Sequence, residues 1–372
     1  MHQREEMAKD LLRKPQGHAF GQQKLKDWGV RLGTRGWVAL YYGMSIFFMI
    51  FGIVLLTESI RYEEWTYVYD GKDVDSASTC GITRGNEGLE CTVTFTFDDD
   101  VSGPLYVYYG LTNFNQNNRR YTKSVLSDMM MGTSTSDIDT DDAELDCYPL
   151  IYNGTRMLYP CGLEAMTFFN DEIDLSTEGD TSDVTLDTDG ITYTFEDEGT
   201  KYDQVDGFVY SEYTTGQTCD EVLGAEYADD CESYEDDNGT LYYYYYPDTD
   251  SFEYLHEVFD QINPIKGVTD ENFIVWMRLA AFSTFRKYLG KIDTDVVAGE
   301  SITFDVVNNF DVTSFSGSKS LIISTNHSND TYVPTFWIVC FIMAALTFSS
   351  GTFLLFKLEP ARWEELRSLM TR

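Results

Sequence analysis

Six cysteines, Cys80, Cys91, Cys147, Cys161, Cys219 and Cys231, are spread through the middle of a 372-residue chain, and a seventh, Cys340, stands apart in an apolar run. Thiols in this even number form disulfides in an oxidising compartment, and none shows the C-x-x-C spacing of a zinc site. Six cysteines permit 15 pairings, and the sequence leaves that choice open. Their even spacing favours neighbours: Cys80–Cys91, Cys147–Cys161 and Cys219–Cys231. Four Asn-x-Ser/Thr sequons, at Asn153, Asn238, Asn326 and Asn329, fall in the same stretch and point to N-glycosylation in the secretory pathway. Asn329 is nearest to an apolar run, where transferase access is poorest.

Carboxylates are abundant, and calcium is the chemistry they would serve. Thr185 to Glu196 (TLDTDGITYTFE) places Asp, Asp, Gly and Glu at the third, fifth, sixth and twelfth positions of an EF-hand loop. Its first position is Thr, and it runs into a strand pattern, so an Asp-Gly hairpin turn is the preferred reading. Asp137 to Asp142 (DIDTDD) lacks the turn glycine and reads as a solvated loop. The four histidines, His2, His18, His256 and His327, are scattered, and no GxSxG, HExxH or phosphate-cradling glycine loop occurs. Neither catalysis nor a cofactor is expected, and the acidity disfavours nucleic acid.

These groups are positioned by two apolar runs without charge, Trp37 to Thr57 and Thr335 to Phe356. Each spans the ~30 Å hydrocarbon core of a bilayer as a helix. Of 26 Lys/Arg and 62 Asp/Glu, residues 1–36 hold eight and four, residues 357–372 hold four and three, and the stretch between holds 14 and 55. Basic flanks remain cytosolic. The expected organisation is a cytosolic tail (1–36), a first span (37–57), a lumenal or extracellular domain (58–332), a second span (335–356) and a cytosolic tail (357–372). The first run is too long for a cleaved signal, and no small-residue cleavage site follows it. Gly43, Gly52, Ala344, Ala345, Ser349 and Gly351 let another helix approach, or serve the contact between the two spans. Phe20 to Trp28 (FGQQKLKDW) reads either as a solvated basic flank or as a docking segment on a partner.

Between the spans the pattern is mainly antiparallel β. Glu90–Phe97, Leu105–Tyr109, Ile191–Phe195, Ser301–Val307 and Ser320–Thr325 alternate like half-buried strands between Asp, Gly and Asn turns. Phe273, Trp276, Met277, Ala280 and Ala281 recur at helical spacing, which predicts a helix over Asp270–Tyr288. Residues 196–254, dense in Asp, Glu and Tyr, read as a loop-rich insertion stapled by Cys219–Cys231.

Four blocks resemble the ligand-effect-modulator/cell-division-control family, the accessory β-subunits of type IV P-type ATPase phospholipid flippases. Phe20 to Trp28 is similar to F-x-Q-Q-(K/R)-L-x-x-W, and Val107 to Ser124 (VYYGLTNFNQNNRRYTKS) to the block YYGL-x-N-(F/Y)-x-Q-N-x-R-(R/K)-Y. Tyr159 to Asp171 (YPCGLEAMTFFND) is similar to PCGL…FND, and Phe273 to Ile292 to WMR-x-A-x-x-x-F-R-K-L-Y. Asn308-Asn309-Phe310 and Ser314 to Thr325 (SFSGSKSLIIST) keep the final strands. Departures are Glu164-Ala165-Met166-Thr167 in place of IANS, a missing glycan site at Asn170, and the acidic tyrosine-rich insertion.

The resemblance implies a non-catalytic subunit, paired with a type IV P-type ATPase among membrane phospholipids. It would support that enzyme's exit from the endoplasmic reticulum, its stability and its lipid transport, with traffic through Golgi, endosomes and plasma membrane. It maps two disulfides onto Cys80–Cys91 and Cys147–Cys161, with Cys219–Cys231 particular to this chain. Partner contacts are expected at Phe20, Gln22, Gln23, Leu25 and Trp28 of the tail, at Asn113, Arg119, Arg120 and Lys123, and at Arg278, Arg286 and Lys287. The last two blocks, with Lys291, contain seven of the 14 cations between the spans. Internal salt bridges are the competing reading for Arg278 and Arg286. The competing function is a self-standing receptor or adhesion protein with an acidic, calcium-binding ectodomain.

Overall fold

The computed structural model describes the chain apart from residues 1–31, 62, 73, 75–77, 83–84, 177–183, 194–195, 197–200, 229, 237, 328–335 and 359–372. It divides into two compact units, one holding the two long helices and the other spanning Ile60–Val333.

The long helices are Thr34–Arg61 and Phe336–Leu358. Each contains a window long and apolar enough to cross a membrane, Arg35–Thr57 and Phe336–Lys357. They pair antiparallel through small and hydroxylated residues. Ser45 Oγ donates to the Ala344 carbonyl at 3.0 Å, and the Tyr42 and Thr352 hydroxyls meet at 3.0 Å. Gly52 is required by close approach, since a Cβ there would lie 2.9 Å from the Phe341 ring. Gly52, Ala344 and Gly351 therefore serve this helix pair, whereas Gly43, Ala345 and Ser349 are exposed on its outside.

The second unit has thirteen strands among its described residues. They are β1 (Glu64–Gly71), β2 (Leu89–Thr96), β3 (Leu105–Leu111), β4 (Tyr152–Asn153), β5 (Arg156–Tyr159), β6 (Glu172–Leu175) and β7 (Val209–Tyr213). The remainder are β8 (Glu232–Glu235), β9 (Leu241–Tyr245), β10 (Phe252–Tyr254), β11 (Phe285–Ile292), β12 (Ser301–Asn308) and β13 (Ser318–Ser324). A four-stranded antiparallel sheet, β1-β13-β3-β11, and a three-stranded one, β2-β12-β6, share a single core. β2 shows why: Cys91, Val93 and Phe95 point inward while their neighbours face water, the period of two that a half-buried strand imposes. Two further sheets are β10-β5-β4 and β7-β9-β8. The β5/β10 pair is parallel, an exception to the antiparallel pattern.

Three expectations from the sequence are corrected. The helix expected over Asp270–Tyr288 stops after Glu271–Met277, and Phe285–Ile292 is strand β11. Loop residues 278–284 are captured instead: Ala280 N donates to Gln116 Oε1 at 2.9 Å, and Asn117 Nδ2 to the Ala281 carbonyl at 2.5 Å. Side-chain acceptors and donors on another loop thus outcompete helical periodicity. Ile191–Phe195 forms no strand among its described residues, because the Glu271 carboxylate takes the backbone amides of Gly190, Ile191 and Thr192 at 3.1, 2.7 and 3.3 Å. The insertion 196–254 is more ordered than a loop. Its tyrosines build β7-β9-β8, with the Tyr213 and Tyr243 rings stacked at 3.9 Å.

Disulfides join Cys80 to Cys91, Cys147 to Cys161 and Cys219 to Cys231.

Candidate partner-docking surface

Three of the blocks quoted above, Val107–Ser124, Tyr159–Asp171 and Phe273–Ile292, come together in three dimensions. Trp276, at the end of the short helix, is fully buried. Its indole N–H donates to the Glu164 carbonyl at 2.9 Å, and its own carbonyl accepts from Gln116 Nε2 at 3.4 Å and Lys287 Nζ at 3.3 Å. Phe114, Phe168, Phe285 and Phe310 pack around the ring at 5.7 to 6.4 Å between centroids. Ser124 closes one block onto the next: its hydroxyl donates to the Tyr148 carbonyl at 2.9 Å, and Leu163 N donates to that hydroxyl at 2.8 Å. Gly162, at φ 106°, lies against the Ser124 carbonyl where any side chain would collide.

A second buried hub is polar. Lys319, on β13 and wholly enclosed, lies 2.8 Å from Asp171 and 3.4 Å from Asp70, and donates to the carbonyl of Phe310 at 2.6 Å and to Asn308 Oδ1. Asp171 also accepts Tyr69 Oη at 2.7 Å and the amides of Asn309 and Phe310 at 2.7 and 2.6 Å. Asp70 accepts Gly71 N at 2.7 Å, Ile82 N at 3.2 Å and Asn308 Nδ2 at 3.0 Å. Two carboxylates against one ammonium leave a formal charge of −1, stabilised by these donors. Burial, followed by the Asp171 charge, raises the Tyr69 phenol well above its usual value, which keeps it a donor. Sequence reasoning assigned none of Lys319, Asp70, Asp171 and Asn308 to this role. The signal was present: a lysine inside the apolar strand SKSLIIS needs a buried counter-charge.

On this frame sit two loops, residues 112–124 and 278–284, clamped by the Gln116 and Asn117 bonds and by Phe114 N donating to the Ser283 carbonyl at 3.1 Å. Asn113, at φ 61°, fastens the first loop by donating to the Phe315 carbonyl. Arg119, Arg120 and Lys123 are exposed and make no ion pair among the described residues. Across the clamp, Leu279 and Phe282 expose 43% and 66% of their surface. Cations beside unburied apolar side chains, on a braced loop pair, can recognise an acidic and apolar protein surface.

Of the cations in the other block, Arg278, Arg286 and Lys287 point inward, and Lys291 is partly exposed. Arg278 pairs with Glu196 at 2.6 Å and lies 4.5 Å over the Tyr193 ring. Arg286 pairs with Glu64 at 2.5 Å and lies 4.5 Å over Tyr108. Lys287 donates to the carbonyls of Trp276 and Arg278, and Lys291 bridges Asp187 and Asp293 at 3.3 and 2.8 Å. Glu196 and Asp187 of the EF-hand-like stretch are thus engaged by cationic side chains. Burial pushes the Glu164 carboxyl up to about 7, against a smaller opposing effect of Lys201.

Of the sequons, Asn153 lies in β4 with Nδ2 donating to Glu253 at 3.1 Å. Asn238 and Asn326 are exposed. Asn329 and the tail residues Phe20, Gln22, Gln23, Leu25 and Trp28 lie outside the described residues.

A profile of the LEM3 (ligand-effect modulator 3) family/CDC50 family matches residues 54–359. Among curated proteins, the chain is 28% identical to cell cycle control protein 50A of Bos taurus, over 84% of this chain and 80% of the relative. It is 30% identical to putative ALA-interacting subunit 4 of Arabidopsis thaliana, over 78% and 74%. It is 27% identical to the phospholipid-transporting ATPase accessory subunit CRF1 of Saccharomyces cerevisiae, over 84% and 77%.

Proposed function

The chain belongs to the LEM3/CDC50 family, and on that premise we propose that it is the non-catalytic accessory subunit of a phospholipid-transporting P-type ATPase. The observation that carries this reading is the braced loop pair, one loop exposing Arg119, Arg120 and Lys123 and the other Leu279 and Phe282, which offers charge and apolar area to a partner. The ATPase supplies the complementary lumenal loops. The exposed small residues Gly43, Ala345 and Ser349 receive a helix of that enzyme within the bilayer. Residues 20–28 dock on its cytosolic face. Both termini are cytosolic, a placement that the basic flanks support, and the domain between the spans is lumenal and N-glycosylated, as its sequons favour. Bound in this way, the chain accompanies its ATPase out of the endoplasmic reticulum and supports its transport of phospholipid toward the cytosolic leaflet. Inward-facing Arg278, Arg286 and Lys287 act through the shape of the docking loops.

The test is affinity purification of the full chain in mild detergent, followed by mass spectrometry of the bound material. A stoichiometric P-type ATPase is the expected result. Recovery of a folded, glycosylated chain alone, under conditions that preserve a reference flippase complex, would overturn the proposal.

A further inference from the structure

The hairpin between β8 and β9 carries the sequon Asn238-Gly239-Thr240 in its turn. Asp236 N donates to the Thr240 carbonyl at 3.0 Å, and the Asp236 carboxylate accepts the amides of Asn238 and Thr240 at 3.0 and 2.7 Å. Gly239 takes φ 79°, and the Asn238 side chain is exposed. Asp236 also lines a cavity of about 660 Å³, which Phe208, Tyr210 and Tyr242 share with Asp203, Asp206 and Lys266. Phe208 and Tyr210 form an aromatic platform, with centroids 5.7 Å apart and planes 27° from parallel, and Tyr242 stands 6.4 Å from Tyr210. Tyr210 remains 52% exposed.

An aromatic platform edged with carboxylates is the chemistry that holds a pyranose. The ring's C–H face lies on the aromatic surface while its hydroxyls donate to carboxylate oxygens. Three carboxylates against one cation, Lys266, leave the lining net negative, which disfavours a phosphorylated or sialylated sugar and admits a neutral one. A neutral sugar would have a covalent origin two residues away. At ~3.5 Å per residue, under about 7 Å of chain separates Asn238 from Asp236 in the cavity wall.

We propose that the N-glycan on Asn238 folds back into this cavity, its core N-acetylglucosamine units stacking on Tyr210 and Tyr242. The tyrosine-rich insertion would then be closed by its own sugar. The proposal rests on lumenal glycosylation and not on the ATPase partner, so the two readings fail separately.

The full chain is expressed in a eukaryotic secretory host and treated, undenatured, with endoglycosidase H, with site-resolved mass spectrometry of each sequon. The expected result is an occupied Asn238, released roughly tenfold faster in Tyr210→Ala/Tyr242→Ala than in the wild type, with Asn326 release unchanged. A second measurement avoids altering the platform: Tyr210 nitration by tetranitromethane should rise severalfold in Asn238→Gln. An unmodified Asn238, equal release rates, or equal nitration would each overturn the proposal. ATPase co-purification should be the same in all these variants.

Discussion

Replacing Lys319 with methionine keeps the side chain's length and removes its charge, which isolates what the ammonium does. In the native domain that ammonium is wholly enclosed, 2.8 Å from Asp171 and 3.4 Å from Asp70, whose side chains are 0% and 2% exposed. Without it the enclosed charge rises in magnitude from −1 to −2. Removing one partner of a buried ion pair typically costs about 3–5 kcal/mol. Unfolding entropy near 2.1 cal/mol/K per residue gives about 0.6 kcal/mol/K for a unit of this size. Lys319→Met should therefore lower the melting temperature by about 5–9 °C. The assay is thermal unfolding of the purified full chain in detergent, followed by intrinsic fluorescence. Adding Asp171→Asn removes one uncompensated charge, so the double variant should lose less than the sum of the two single losses. A Lys319→Met protein melting within about 2 °C of wild type, or strictly additive losses, would refute the hub as a stabilising network.

Exchanging Arg119 and Arg120 for alanine should reduce ATPase co-purification severalfold with melting unchanged, since neither side chain makes an ion pair among the described residues; a misfolded variant retained in the endoplasmic reticulum would assign both residues to the fold. Cys147→Ser, which opens the Cys147–Cys161 bridge, should cost about 2–5 kcal/mol, read as lost protease resistance. Burial holds Glu164 protonated up to about 7 against a usual 4.5, so stability is full below 4.5 and declines as pH rises through 7. Glu164→Gln should flatten that decline and gain about 1–2 kcal/mol at pH 8 after solvent screening, measured as melting temperature against pH.

Much of this was legible in the chain because its signals are local. Apolar runs without charge gave the two long helices, and strict alternation in Leu89–Thr96 and Ser301–Asn308 gave strands that keep one face buried. The alternation in Ile191–Phe195 misled because its backbone amides are taken by a distant carboxylate, Glu271, an acceptor no local window contains. Helical spacing across Phe273–Ala281 misled for a related reason, since Gln116 and Asn117 compete for the backbone of the following loop. The tyrosines of the insertion resembled low-complexity sequence, yet cross-strand stacking orders them. The proposed docking surface was half visible. Arg119, Arg120 and Lys123 are a cationic block in sequence, but that they face water while Arg278, Arg286 and Lys287 turn inward depends on tertiary pairing with Glu196, Glu64 and backbone carbonyls.

The pairing of β1 with β13 has a mechanical consequence. Glu64 lies opposite Ser324, and Glu63 and Thr325 add one more rung, with Thr325 N donating to the Glu63 carbonyl at 3.1 Å. The domain's entrance and exit are thus neighbouring ends of one antiparallel ladder. Tension that draws the two ends apart would load that ladder one rung at a time, as a zipper is opened, and not all rungs together as in shear. None of the three disulfides joins β1 to β13. Resistance to separation therefore begins with the hydrogen bonds between Glu63 and Thr325, and the domain can yield at its root while its core stays closed.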